Sequence, residues 1–563
     1  MIYHCEDHTC NYWDEGEKLP ERCPQCGRKL LRANEADMTG DDWTALGNTL
    51  WDAEASDKKR MVDCFRKAAY LGSAWGVCNL GICMEQGNGV EADPVQAFWL
   101  YQQAVEMGSL NAVCCLGVCY QYGIGTAPDA EKAAELYCKA AEYGSPRGQM
   151  LLARAFHDGI GVEADAAEAV HWVRAAAYQR YGEGMYRLGV CYEYGDGVEQ
   201  NWEHAVHWFR EAAESGVSVA MTDLGYCYEK GCGVEQSWEQ AFSWYRRGAE
   251  CGYPVSMSNL GLCYKRGYGV EQNWQEAIKW YEQGAQCGDL QSMHNLACCY
   301  ERGEGVEQNE DRALYWYRRG AEAGSDYCMY CLGWNYSNGE GVEQNMTEAI
   351  RWYTAAAEGG NADAMHNLGW HYDHGEGVEQ DMKKAICWYE RAAEQNHPAA
   401  MNSLGECYAM GRGVPRDLET AMEWYRRAAE LGEAMADYNM GWHLEQAGKL
   451  SEAYAHYRKA ADGNDDSAWW ALGRFYENGV VVAQDGKEAR RCYETGEKLG
   501  SVKCKMRLAR CKLLGIGGRR EKKAGLDLCR QALELAKESS EKEDYGYEAE
   551  MNLLRRTIAE NES

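Results

Sequence analysis

The chain has 563 residues, a formal net charge of −30, and a composition that is 46% hydrophobic with only 8 proline residues. Such an acidic surface repels nucleic-acid phosphates and anionic lipids, so we expect neither nucleic acid nor a membrane as a partner. We also expect a cytoplasmic location, because the N-terminus lacks the pattern of a signal peptide and no apolar run is long enough to span a bilayer.

Residues 1–37 form a separate segment with four cysteines, Cys5, Cys10, Cys23 and Cys26, arranged as two pairs. The second pair lies in a Cys-Pro-Gln-Cys-Gly sequence, a tight turn that brings two thiolates onto one metal. Four thiolates close a tetrahedral zinc site, and so short a segment needs such a staple to fold. We therefore predict structural zinc on these cysteines, with His4 or His8 replacing one of them, iron, and no metal as the alternatives.

From residue 38 onward the sequence repeats with a period of 36 residues. The marker is a leucine, usually followed by glycine, at Leu80, Leu116, Leu152, Leu188, Leu224, Leu260, Leu296, Leu332, Leu368 and Leu404, and it continues as Met440. Such a period is typical of arrays in which each unit buries its apolar face against its neighbours. The sequence predicts an all-α solenoid over residues 38–515, followed by capping helices over residues 516–563.

Residues 254–289 show one unit clearly. Helical spacing of apolar residues predicts a first helix, A, over 254–266 and a second helix, B, from Trp274 to about Cys287. Gly267 is placed to end helix A, and Asn273 to cap helix B. The cap position holds only Asp, Asn or Ser in eleven units: Asp93, Asp129, Asp165, Asn201, Ser237, Asn273, Asn309, Asn345, Asp381, Asp417 and Asp485.

Three further columns of the repeat predict its core. A tryptophan column on helix B is expected to be buried by the neighbouring repeats: Trp172, Trp208, Trp244, Trp280, Trp316, Trp352, Trp388 and Trp424. An alanine column is expected to let helices approach closely: Ala205, Ala241, Ala277, Ala313, Ala349, Ala385 and Ala421. A cysteine column is expected to hold reduced core thiols: Cys83, Cys119, Cys191, Cys227, Cys263, Cys299 and Cys407.

The combined pattern, A-x-M-x-N-L-G-x-x-Y-x-x-G-x-G-V followed by a capped helix with A-x-x-W-Y, resembles the Sel1-like repeat, a relative of the tetratricopeptide helix pair. The resemblance covers about residues 40–515. It implies a right-handed superhelix of about 14 helix pairs, with the A helices on the concave side. It also implies scaffold or adaptor work through protein–protein contacts. The N-terminal segment resembles a rubredoxin-like zinc ribbon, although four residues rather than two separate its first pair of cysteines.

The unit at Met440 departs from the pattern. It lacks the Gly-x-Gly-Val loop, and the next marker, Leu472, follows 32 residues later. This unit is therefore predicted to be closer to a plain tetratricopeptide repeat.

The candidate partner-binding residues pair a methionine with an amide or carboxylate two residues later on helix A: Met221 and Asp223, Met257 and Asn259, Met293 and Asn295, and Met365 and Asn367. Amides at such positions clamp extended peptides in tetratricopeptide-type grooves. The alternative is that these side chains bond only the neighbouring repeat.

Two other features have weaker functional interpretations. An identical Val-Glu-Gln loop places Glu199, Glu235, Glu271, Glu307, Glu343 and Glu379 in one column, which indicates either recent duplication or selection on that edge. The densest histidine cluster, His366, His371, Asp373 and His374, is a possible metal site. The neighbouring units carry Tyr, Asn and Glu in these columns.

The sequence favours a non-enzymatic scaffold that binds protein segments with basic or apolar residues. No catalytic set of residues is evident. The alternatives are a weak hydrolase, as suggested by β-lactamase-like cysteine-rich Sel1 proteins, and a nucleic-acid regulator acting through the zinc ribbon. Cysteine-rich Sel1 proteins pair cysteines within each repeat. Here Cys251 and Cys287 end B helices with Ser258, Asn259, His294 and Asn295 where partners would lie.

Overall fold

The structure is a computed structural model that describes residues 2–5, 13–15, 30–33, 35–51, 55–542 and 548–562. The N-terminal part contains three short strands, β1 (Ile2–Cys5), β2 (Trp13–Glu15) and β3 (Leu30–Ala33). They form an antiparallel sheet with β1 in the centre. A short 3-10 turn at Glu35–Asp37 leads into the helical array.

The rest of the described chain is helical, as predicted. The A helices are α1 (Gly40–Thr49), α3 (Ala74–Gln86), α5 (Leu110–Tyr122), α7 (Pro146–Asp158), α9 (Gly182–Tyr194), α11 (Ser218–Lys230), α13 (Pro254–Arg266), α15 (Leu290–Arg302), α17 (Asp326–Asn338), α19 (Ala362–His374), α21 (Pro398–Met410), α23 (Ala434–Gln446), α25 (Asp466–Asn478) and α27 (Val502–Leu514).

The B helices alternate with them along the chain. They are α2 (Ala55–Tyr70), α4 (Pro94–Glu106), α6 (Ala130–Glu142), α8 (Ala166–Tyr178), α10 (Trp202–Glu214), α12 (Trp238–Glu250), α14 (Trp274–Gln286), α16 (Glu310–Glu322), α18 (Met346–Glu358), α20 (Met382–Glu394), α22 (Leu418–Glu430), α24 (Leu450–Asp462), α26 (Gly486–Lys498) and α28 (Lys522–Lys542). A last helix, α29 (Glu548–Glu562), follows.

Along the described chain fourteen A helices alternate with fourteen B helices, and the chain divides into two compact units, Met1–Ser292 and Met293–Ser563. Within each unit, consecutive pairs stack so that each B helix also packs on the A helix that follows it. The pair of α23 and α24 has the short loop that its sequence predicts, and Lys449 gives α24 no side-chain cap. Each unit is therefore held together by contacts between neighbours, as in other repeat arrays.

The helix ends follow the predicted signals. All eleven members of the cap column accept a backbone N–H of the first turn of a B helix, so the N-cap prediction is confirmed. Gly267 ends α13 in the left-handed conformation, with φ of 73°. An asparagine or aspartate cap and a glycine stop are thus the local causes of the helix pair.

The second glycine of the loop has a different role, which is close approach to the preceding repeat. Gly269 has φ of 68°, and a Cβ there would lie 2.1 Å from the carbonyl oxygen of Trp238. Gly233 meets Trp202 in the same way at 2.3 Å. In the repeats that contain Gly-x-Gly, as in these two, the loop of the A helix therefore rests on the first turn of the preceding B helix, where no side chain fits.

The core of the B helices differs from the prediction by one residue. The tyrosine or phenylalanine that follows the tryptophan column is the fully buried side chain: Phe65, Tyr101, Tyr137, Phe209, Tyr245, Tyr281, Tyr317, Tyr353, Tyr389, Tyr425, Tyr457 and Tyr493. The tryptophans are half-buried, apart from Trp244, which is 9% exposed. Most of the tryptophans thus pack against the edge of the core, and the predicted full burial holds only for Trp244.

The tyrosine ring packs on the glycine that follows the leucine marker. A Cβ at Gly261 would lie 2.5 Å from the Tyr281 ring, and one at Gly117 would lie 2.5 Å from the Tyr137 ring. The hydroxyl often donates to a polar side chain on the same A helix, as Tyr137 does to Gln121 at 2.7 Å. Helices A and B of a pair thus pack closely because a glycine on helix A leaves space for the aromatic ring on helix B.

The other core predictions hold. Every member of the alanine column is buried. The thiols of Cys83, Cys119, Cys227, Cys263 and Cys407 are buried and unpaired, Cys299 is buried, and Cys191 is half-buried. Burial raises the pKa of the Cys263 thiol to about 12, so these side chains act as small apolar groups.

At the C-terminus, α28 packs on α27 as the B helix of the fourteenth pair. The predicted boundary at residue 515 therefore falls between the two helices of that pair. Helix α29 contacts both of them, and the Glu550 carboxylate lies 2.7 Å from the Arg507 guanidinium. The end of the array is thus covered by one additional helix.

Candidate functional site: the exposed face of the A helices

Two columns three residues apart define the exposed face of the A helices, which we call the A face. On α11 these columns hold Asp223 and Tyr226, and on α13 they hold Asn259 and Leu262. Residues three apart on a helix lie side by side. Each of these helices therefore presents a hydrogen-bonding group next to an apolar side chain.

The apolar column of the A face is exposed in both units. In the first unit, Tyr226 is 45% exposed and Leu262 is 38% exposed; in the second, Trp334 is 44% and Trp442 is 37% exposed. All four lie two residues after the leucine marker or its Met440 equivalent. Our sequence interpretation missed this column, although the common register was visible as an aromatic or aliphatic residue recurring at one position of helix A.

The methionines predicted to line the groove do not reach it. Met221, Met257, Met293 and Met365 are each 6% exposed or less and pack inside the array. They precede the polar column by two residues, a spacing that turns them towards the B helices. The accessible part of the predicted binding set is therefore Asp223, Asn259, Asn295 and Asn367, which are half-buried.

The polar column combines both predicted roles. Asp223 interacts with Tyr186 on the preceding A helix, and Asn367 interacts with Tyr330 in the same way. Within the described part of the chain, Asn259 has no such partner. Some members of the column thus join neighbouring repeats, while Asn259 leaves its amide available to a ligand.

Burial makes the carboxylates of this face costly to ionise. It raises the pKa of Asp223 above the usual value of 3.8, and the Tyr186 hydrogen bond only partly opposes it. Burial, followed by repulsion from Asp223, also raises the pKa of Glu193 on α9. An ionised acid in such a place is stabilised by a nearby cation, so this part of the A face favours a basic ligand group.

The histidine cluster on α19 has structural partners instead of a common centre. The His371 ring nitrogen lies 3.1 Å from the Glu376 carbonyl, and the His374 ring nitrogen lies 2.9 Å from the Trp370 carbonyl. Asp373 pairs with Arg412 at 3.0 Å, and His366 lies 3.3 Å from the Ser403 hydroxyl. Among the described residues, no three His, Cys, Asp or Glu side chains are placed to hold one metal ion.

The predicted zinc ligands cannot be placed. Cys5 is the last residue of β1, but its side chain is outside the described part of the structure, as are Cys10, Cys23 and Cys26 entirely. The zinc site stays a prediction. The described part of the chain also contains no helix with the length and hydropathy of a membrane span.

The Val-Glu-Gln loop has a structural role in its glutamine. The Gln272 side chain donates at 2.8 Å to the Lys265 carbonyl near the end of α13, and Gln200 and Gln236 make the same contact with Glu193 and Glu229. The glutamate column, including Glu271, is exposed. The hydrogen bond gives a structural reason to keep the glutamine at this position of the loop.

Cys251 and Cys287 are exposed and unpaired at the ends of α12 and α14. They do not form the disulfides within repeats that the cysteine-rich Sel1 proteins have.

Comparison with known proteins identifies the family. The Sel1 repeat model matches thirteen stretches: residues 76–109, 112–145, 146–181, 182–217, 218–253, 254–289, 290–325, 326–361, 362–397, 398–433, 434–465, 468–501 and 502–537. The chain belongs to the Sel1 repeat family, whose members are generally protein-interaction scaffolds. No match was found among curated proteins.

Two solved structures are similar to this chain. One is a protective antigen of uropathogenic Escherichia coli strains with an SLR fold, which is 29% identical, with 76% of this chain and 94% of that chain covered and a TM-score of 0.51. The other is a Sel1 repeat protein from Oxalobacter formigenes, 32% identical, with 43% of this chain and 96% of that chain covered and a TM-score of 0.40.

Proposed function

We propose that this protein is a non-enzymatic scaffold whose A face binds a segment of a partner protein with basic and apolar residues. The observation that carries the proposal is the exposed apolar column, with Tyr226 and Leu262 on successive A helices. Single exposed apolar residues are ordinary, but a row at one register is typical of an interaction surface.

The chemistry of the neighbouring column supports the choice of ligand. Asp223 and Glu193 provide carboxylates whose ionisation a basic side chain would favour. Asn259 provides an amide that can bond the backbone of an extended segment. The net charge of −30 adds a long-range attraction for cationic ligands, which makes association salt-dependent.

Peptide display on the full chain tests this proposal. We expect the selected peptides to be rich in basic and apolar residues. The double variant Tyr226→Ser/Leu262→Ser is expected to weaken binding of a resynthesised peptide at least about tenfold, because two interface anchors are lost. Tyr143→Ser, which changes a tyrosine that is 69% exposed at the end of α6, is the matched control and is expected to leave affinity unchanged.

Three outcomes would contradict the proposal. They are selection of acidic peptides, equal loss of binding in the Tyr143 control, and full affinity in the double variant. Urea midpoints of all three proteins show whether a change in affinity reflects the surface or the fold.

We propose separately that Cys5, Cys10, Cys23 and Cys26 hold one structural zinc ion, on the basis of their spacing. Metal analysis of the Cys23→Ser/Cys26→Ser variant is expected to show loss of zinc with helical content retained. Retention of zinc in this variant would refute the site.

A further inference from the structure

One B helix lacks the core aromatic residue. From α2 to α26 there are thirteen B helices, and twelve of them bury a tyrosine or phenylalanine at the same position. Helix α8 has Val173 there, between Tyr137 of α6 and Phe209 of α10. The repeat formed by α7 and α8 is therefore missing a ring that its neighbours have.

The surroundings of that ring are known from the other repeats. The Tyr137 ring contacts Gly117, and its hydroxyl donates to Gln121. The equivalent residues on α7 are Ala153 and His157. Both line a cavity, together with Val173 itself. The space of the missing ring is thus part of this cavity.

The cavity has a volume of about 390 Å³ and lies between α7, α8 and α9. Its apolar wall is formed by Met150, Ala153, Val170, Val173 and Val190. This volume is within the range of small-ligand pockets, which are typically mostly apolar with a few polar groups at the edge.

The polar edge has one unpaired cation. His157 lies between Asp158, at 2.7 Å, and Asp196, at 3.2 Å. The Arg154 guanidinium lies 3.1 Å from the Tyr122 hydroxyl and 3.5 Å from Asp158.

Arg187 lines the same cavity and has neither an ion pair nor a hydrogen bond with any residue that the structure describes. Glu183, the remaining acid of the edge, lies one turn before Arg187 on α9, and both side chains are exposed. Arg187 is therefore the group that can accept an anion.

We propose that this cavity binds an aromatic ring that carries a carboxylate, such as a C-terminal aromatic residue of a peptide or a free aromatic acid. The ring occupies the space that tyrosine fills in the other repeats, and the carboxylate pairs with Arg187, whose planar fork suits that group. Arg187 and Val190 occupy on α9 the positions of Asn259 and Leu262 on α13, so this cavity borders the A face, but it does not include Tyr226 or Leu262 and does not require the proposed partner segment.

A variant can fill the cavity with the residues that the other repeats of this chain have at the same positions. Val173→Tyr combined with Ala153→Gly restores the ring and the glycine that faces it in the neighbouring repeat. The glycine gives the ring the space that it has beside Gly117, where a Cβ would lie 2.5 Å from the Tyr137 ring. We expect this variant to fold with an unchanged or higher urea midpoint, since it adds core packing without a new kind of contact. Ala297 stands at the equivalent position before the buried Tyr317, so Val173→Tyr alone is a second variant to test.

Ligand-observed NMR on the full chain tests the site with N-acetyl-L-tyrosine as the probe. We expect about millimolar affinity, as is usual for a fragment of this size. Binding is expected to be lost in the ring-restored variant and weakened about tenfold in Arg187→Gln. Arg180→Gln, a change in an arginine that is 73% exposed outside the cavity, is the matched control and is expected to bind normally.

Two further probes distinguish the contribution of the ring from that of the carboxylate, and a peptide C-terminus from a free aromatic acid. N-acetyl-L-tyrosinamide lacks the carboxylate, so it is expected to bind the wild type weakly and to be insensitive to Arg187→Gln. Tighter binding of N-acetyl-L-tyrosine than of 4-hydroxyphenylacetate would assign the site to a peptide C-terminus, and the reverse would assign it to a free aromatic acid.

The proposal is overturned if N-acetyl-L-tyrosine binds no more tightly than N-acetyl-L-leucine, if the ring-restored variant binds as well as the wild type, or if no binding is detected. None of these variants changes Tyr226 or Leu262. A negative result here therefore does not affect the test of the partner-binding proposal.

Discussion

Each B helix has an inner face, which packs on helix A of the same pair, and an outer face, which is partly exposed to solvent. Adjacent aromatic residues on these two faces have different roles. On α14, Tyr281 is fully buried against Gly261, whereas Trp280 is half-buried with the Lys279 ammonium 5.7 Å from its ring centre. The same contrast recurs on α22, where Arg427 lies over the Trp424 ring at 4.5 Å while Tyr425 is buried. Size alone therefore does not select the core residue; a small residue opposite the ring does.

The largest effect is expected for Tyr281→Ala, which empties the inner face. Truncation of a buried aromatic side chain costs about 3–5 kcal/mol, and we expect a loss of that size in the free energy of unfolding in urea. Tyr281→Phe is the matched control and is expected to cost less than about 1 kcal/mol, since Phe209 fills the same position in α10. Equal costs for the two variants would show that the hydroxyl, and not the ring, stabilises this face.

Gly261→Ala changes the helix A side of the contact with the Tyr281 ring. The added methyl group would lie 2.5 Å from the Tyr281 ring, so the helices must separate or the ring must turn. We expect a loss of about 1–3 kcal/mol in the urea unfolding experiment, the usual cost of overpacking. Combining it with Tyr281→Ala should recover part of that loss, because the ring that clashes is gone. Simple additivity of the two changes would mean that the contact is not the cause.

Trp280→Ala tests the outer face and should cost less. The tryptophan keeps part of its surface in water and contributes partial burial and a cation–π contact, so we expect about 1–2 kcal/mol. This is below the cost of about 3–5 kcal/mol for truncation of a fully buried tryptophan. A loss as large as that of Tyr281→Ala would remove the distinction between the two faces.

Asp223→Asn extends the comparison to the A face and should have the smallest effect, in the stabilising direction. Burial raises the folded-state pKa of this carboxyl, so its ionisation costs stability above that pKa. The amide removes this cost and can still bond Tyr186. We expect a slightly higher urea midpoint at pH 7 and no gain well below pH 3.8, where the acid is protonated in both states. A gain that persists at the lower pH would have another cause.

The sequence predicted the helix pairs, their caps and the fold class because these depend on local signals at a fixed period. It did not rank Trp280 against Tyr281, since both are large and adjacent. One signal was available: Ala277, Ile278, Gly284 and Ala285 are all three or four positions from Tyr281, while only two of them are so placed relative to Trp280. Counting small and apolar neighbours on the helix would have identified the inner face.

The candidate site was predicted only in part. The polar column was found because asparagine recurs at one place, but its interactions with the preceding repeat join side chains 37 residues apart, such as Tyr186 and Asp223. The burial of Met221 follows from packing between repeats, which one repeat's pattern does not contain. In the sequence, the cavity beside Val173 corresponds only to one aliphatic residue in an aromatic column. Interpreting this signal requires the contacts that the aromatic ring makes in the other repeats.

The contact between a loop glycine and the preceding B helix is made by the same residue types in neighbouring repeats, so one repeat can replace another in this contact. Gly269 rests on Trp238, and Gly233 rests on Trp202, a tryptophan at the equivalent position. Deleting residues 218–253 would remove one repeat and bring Gly269 onto Trp202, which recreates the joint with the same residue types. Recombination between such copies in the gene can therefore shorten the chain by one whole repeat while keeping this loop contact at the new junction.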